Sequence, residues 1–159
     1  MQYFDQSLAE QRFAATGASL RQEVDAAVRR LRALPDVRAA SSPPPAKWSP
    51  KQVLGHLIDS ASNNHQRFVR VQLVDGLAMP SYEQEQWIQS QHYQDESWKE
   101  LVELWRSYNL HLAHIIMNIP DDRLHHRVKV GNGDPVTLRF IVDDYVTHLK
   151  HHLKQLFSD

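Results

Sequence analysis

The chain has 159 residues and no cysteine, so disulfides, thiolate metal sites and a cysteine nucleophile are all excluded. Its 18 Lys and Arg against 19 Asp and Glu leave a formal net charge of −1, which gives no electrostatic case for nucleic acid. No apolar run approaches the ~18 residues of a membrane span, and the opening MQYFDQSLAE lacks the basic and apolar regions of a secretory signal. The expectation is a cytoplasmic protein, off the membrane, with one domain over residues 1–159.

Helical periodicity dominates the chain, and only five glycines interrupt it. A first long helix is predicted over about 7–34, with Phe13, Leu20, Val24, Val28 and Leu31 on one apolar face and Pro35 at its end. Ser41-Ser42-Pro43-Pro44-Pro45 reads as an extended connection. Ser49 with Pro50 behind it is a helix start, N-cap and first helical position, and that helix should run to about Val74, where Asp75-Gly76 stops it. Residues 76–96 read as a long crossover carrying a short helix at about 83–91. A third long helix follows from about Ser97 to Asn118, stopped by Pro120. Gly131-Asn132-Gly133-Asp134 marks a small hairpin, and Thr137 caps a fourth long helix. The prediction is an all-α four-helix bundle with a small hairpin before its last helix.

Ten histidines stand out in this frame. His148 and His152 are one turn apart on the fourth helix, a spacing that suits two ligands of one metal ion. Random placement of ten histidines gives on the order of one such pair, and His111/His114 is another, so spacing alone decides little. The helix faces say more. At about 100° per residue with His148 at 0°, the apolar residues Leu138, Ile141, Tyr145, Leu149, Leu153 and Leu156 spread over roughly 20° to 140°. His152 falls near 40°, beside that core, whereas His151 falls near −60°, towards solvent. On the second helix His56, Ser60, Asn63 and Arg67 form a polar stripe bordering the apolar face of Val53, Leu57, Ala61, Phe68 and Val71. Such a stripe reads as one wall of a cleft in which three imidazoles can converge. On the residues alone, an interior hydrogen-bonded histidine pair or a surface pair is an equal reading of His148 and His152. His65 sits opposite His56, outside that cleft.

WSPKQVLGHLIDSASNNHQRF followed by VTHLKHHLKQL resembles the DinB/YfiT-like superfamily of metalloenzymes, over most of the chain. The resemblance implies an up-down-down-up bundle and one divalent metal held by three histidines, and ligation of that kind suits zinc or nickel foremost and iron after them. Carried over by position, the ligands are His56, His148 and His152. Family members of known activity are mostly thiol-dependent transferases or isomerases, many have no established substrate, and a homodimer is a common assembly.

Three neutral imidazoles leave the ion its full charge, which suits activation of a water or a thiol, and any thiol must come from a low-molecular-weight cosubstrate. Asn63 and Arg67 are candidate substrate-binding residues, and Asp144, one turn before His148, is a candidate to hold a ligand imidazole in one tautomer. The functional expectation is a thiol S-transferase or hydrolase acting on a small electrophile. The alternative is a non-catalytic metal- or ligand-binding stress-response bundle.

Overall fold

A computed structural model describes residues 3–42 and 48–158, and the proline run at 43–45 lies outside the described residues. The four long helices are α1 (Tyr3–Ala33), α3 (Pro50–Leu73), α5 (Trp98–Met117) and α6 (Leu138–Leu156). Between them lie two short helices, α2 (Asp36–Ala39) and α4 (Gln84–Gln91), and a small sheet of β1 (Leu77–Met79), β2 (Arg127–Val130) and β3 (Val136–Thr137). Among the described residues no helix is long and apolar enough to cross a membrane.

The start signals act as their chemistry requires. The Ser49 hydroxyl accepts from the Gln52 backbone N–H at 3.3 Å while the Gln52 side chain accepts from the Ser49 N–H at 3.0 Å, a reciprocal capping box with Pro50 at the first helical position. Thr137 accepts from the Phe140 N–H at 3.2 Å and starts α6 in the same way. Lys51 is buried and donates to the Glu96 carbonyl at 2.7 Å, with the Asp36 carboxylate at 3.5 Å. The start of α3 is thereby tied to the end of the crossover.

Cross-helix contacts fix the directions. Arg32 pairs with Glu103 while Gly17 lies against Ala113 and Met117, so α1 and α5 run antiparallel. His65 meets Tyr108 and Lys51 meets Glu96, so α3 and α5 run parallel. His56 meets His148 and His152, and His126, just ahead of β2, bonds the Val71 carbonyl at 2.7 Å, so α6 runs against α3. The result is an up-down-down-up four-helix bundle. Parallel neighbours need a connection as long as the helix itself. At 1.5 Å per residue the 24-residue α3 is about 36 Å long, which is why a long crossover separates it from α5.

The expected hairpin is present, with Arg127 opposite Thr137. The sequence reading missed β1, which pairs parallel with β2 from Leu77 against Val128 to Met79 against Val130. Three residues are too few to show a period, and their partner lies some fifty residues on. The core is made by the predicted faces: Leu20, Val24, Val28 and Leu31 of α1, Leu57, Ala61, Phe68 and Val71 of α3, and Leu138, Tyr145, Leu149 and Leu153 of α6 are all buried, with Trp105 of α5 among them.

Candidate metal centre

Three imidazoles meet where α3 crosses α6. His56 and His148 approach with Nε2 atoms 3.2 Å apart, and ring centroids are separated by 5.1 Å (His56 to His148), 4.7 Å (His56 to His152) and 4.5 Å (His148 to His152). Each ring offers one nitrogen within 4.8 Å of the other two. Two nitrogens about 2.0–2.1 Å from a shared ion at a tetrahedral angle stand about 3.3 Å apart, so the observed 3.2 Å fits coordination by His56 and His148.

The electrostatics favour the form a metal needs. His56 is fully buried, and desolvation together with its two histidine neighbours pushes its pKa down to about 4. His152 is pushed down to about 4 by desolvation, His148 and His151. Desolvation lowers His148 as well, against the pull of Asp144. All three shifts favour the neutral ring, the form that binds a cation. Gln155 lies beside the His152 ring and partly offsets its downward shift. The Trp48 ring lies 5.3 Å from His56 and closes that side. His56 Nδ1 is buried without a partner among the described residues.

Not every candidate residue joins this cluster. His151 is exposed, as its helix face predicts. Asp144 is exposed as well, and among the described residues it makes no hydrogen bond to a ligand imidazole, acting on His148 through its field alone. Asn63 donates to the Asp59 carbonyl at 2.9 Å, and Arg67 reaches Asn64 at 3.4 Å. Both line a cavity of about 310 Å³ with Arg70 and Met79, and none of the three clustered histidines borders it. A second cavity, of about 810 Å³, does reach the cluster: His152, Trp48, Val53 and Gln155 are among its walls.

Sequence reasoning also missed a buried carboxylate beside the cluster. Asp59, one turn after His56, accepts from the Tyr93 hydroxyl at 2.6 Å and from Gln91 at 2.7 Å, while its Oδ2 has no partner among the described residues. Burial raises its pKa and these two donors pull it back. The Tyr93 ring packs against Gly55, where an added Cβ would overlap it. Only the glycine immediately before His56 carried a signal for this contact.

A four-helix bundle with three imidazoles converging between its second and fourth long helices defines the class. The chain belongs to the DinB superfamily, whose family model matches residues 19–156. Among solved structures it is similar to YfiT from Bacillus subtilis, with a TM-score of 0.79 at 17% identity over 92% of this chain and 83% of that one. YfiT is described as a probable metal-dependent hydrolase with an unusual four-helix bundle topology. No curated protein sequence matches the chain significantly.

Proposed function

We propose that this protein is a metal-dependent enzyme in which His56, His148 and His152 hold one divalent cation and a small electrophilic substrate is hydrolysed beside it. The observation that carries the reading is the meeting of three neutral imidazoles at ligand spacing, one of which borders an open cavity. The description of YfiT as a probable metal-dependent hydrolase supports the same reaction class. A cation with three neutral ligands lowers the pKa of a coordinated water or thiol towards neutrality. The chain's own residues supply the rest. Burial of His56 holds its ring in place, and Trp48 and Val53 give the cavity apolar walls that position a substrate and thin out water.

A second reading is transfer of a small thiol to the electrophile. The cavity's size favours it, since about 810 Å³ has room for a cosubstrate beside the substrate. The chain has no cysteine of its own, so that thiol must be added. The test is turnover of ester, amide and activated-alkene substrates by metal-loaded and chelated protein, with and without low-molecular-weight thiols. Metal-dependent turnover without thiol supports hydrolysis, and turnover that needs both supports transfer. A metal-loaded protein inert in every combination overturns the enzymatic reading and leaves a metal-binding bundle.

A further inference from the structure

The histidines outside the cluster are not scattered. His65 lies nine residues after His56, about half a turn round α3, so it faces the opposite side of the helix. There it meets His111 of α5, with ring centroids 5.2 Å apart at an interplanar angle of 86°. The His56–His148 pair, which has ligand spacing, shows 5.1 Å and 75°. The rings of the two pairs stand equally close, and each pair bridges two helices. The Tyr108 hydroxyl lies 3.1 Å from His65 Nδ1, and with that nitrogen engaged, Nε2 is the one left for a ligand bond. This mirrors the way a hydrogen bond at one ring nitrogen fixes which nitrogen of a histidine binds metal. His111 is exposed, so an ion from solvent reaches the pair without any opening of the bundle. His65 and His111 also come from two parallel helices that are joined only through the long crossover.

We propose that His65 and His111 form a second metal site, a two-imidazole clip for a borderline divalent cation that ties α3 to α5 on the side away from His56. Imidazole suits copper, nickel and zinc, and the general affinity order places Cu²⁺ first among them. Two protein ligands leave the remaining positions to water, so this site binds more weakly than one with three imidazoles. The site is independent of the proposed reaction and needs no substrate.

The test is titration of the metal-free full-length protein with Cu²⁺, followed by calorimetry and electron paramagnetic resonance. Two binding steps are expected, the second at least tenfold weaker and with the nitrogen hyperfine pattern of two imidazoles rather than three. His111→Ala, an exposed substitution that leaves the core intact, and His65→Ala should each abolish the weaker step alone. His152→Ala should remove the tighter step and spare the weaker one. Loss of the tight step with the weak one retained in the wild-type chain would count against the three-histidine reading and not against this one. A single step in the wild-type protein that responds only to His152→Ala, or a weak step that survives either His65→Ala or His111→Ala, overturns the clip.

Discussion

Gly55 and Tyr93 are in direct contact: the tyrosine ring occupies the space a Cβ at position 55 would need. The contact joins the crossover to the helix that carries His56, and the Tyr93 hydroxyl strengthens it by donating to Asp59 at 2.6 Å. Gly55→Ala should therefore destabilise the protein by about 1–3 kcal/mol, the usual cost of overpacking a filled site. Because His56 is the next residue, metal affinity should fall too. Denaturant unfolding and metal titration of Gly55→Ala check both effects, and an unchanged midpoint would show that the crossover yields without cost.

The tight metal site should depend on three histidines and ignore a fourth. His56→Ala, His148→Ala or His152→Ala should each lower affinity by more than the about 10–100-fold that loss of a supporting hydrogen bond costs. Gln155→Ala, which removes a polar neighbour of His152, should fall at or below the lower end of that range. His151→Ala should leave the tight site intact, since that ring is exposed. Metal analysis after dialysis reads all five variants, and loss of the tight ion from His151→Ala alone would mean the wrong face of α6 had been chosen.

Acid should destabilise even the metal-free protein. Each clustered histidine has a folded pKa below its unfolded value near 6.5, reaching about 4 for His56 and His152. The unfolded chain therefore binds more protons between those values, and stability falls as pH drops from about 6.5 to about 4. Asp59 acts in the opposite direction, because its raised folded pKa contributes stability below about 3.8 that is lost as pH rises. Three histidines outweigh one carboxylate across the upper window. Melting temperature against pH should slope upward there, and His148→Ala/His152→Ala should flatten the slope. With metal bound the fall should be steeper, because protons compete with the ion for the same nitrogens. Equal slopes with and without metal would show that the ion does not contribute to stability.

Much of this fold was legible because its signals are local or periodic. The Ser49-Pro50 and Thr137 starts, the Asp75-Gly76 stop and the apolar faces of the long helices all follow from caps and a 3.6-residue period. The same period separated His152 from His151. Depth was less legible. His56 and Ser60 sit on a stripe that reads as a cleft wall, yet both are buried, as is Asp59 off that stripe, because α6, Trp48 and the crossover cover that side. A face angle says which way a side chain points and nothing about what is laid over it. The β1–β2 pairing and the Tyr93–Asp59 bond were out of reach for the same reason, being set by how distant segments dock.

The two cavities give the proposed chemistry its sharpest test. Val53 borders the cavity that reaches His152, whereas Asn63 and Arg67 border the other. If substrate binds beside His152, Val53→Trp should fill the larger cavity and lower kcat/KM at least tenfold, about 1.4 kcal/mol of lost transition-state stabilisation, with metal content unchanged. Arg67→Gln and Asn63→Ala should then have little effect on turnover. If the polar stripe of α3 instead orients the substrate, Arg67→Gln should raise KM for anionic substrates and spare neutral ones, because it removes a half-buried guanidinium whose pKa desolvation has already lowered. Steady-state kinetics of the three variants on metal-loaded protein, with an anionic and a neutral electrophile, separate the two outcomes. Metal-dependent turnover insensitive to all three substitutions would place the substrate in neither cavity and remove the larger one from the proposed mechanism.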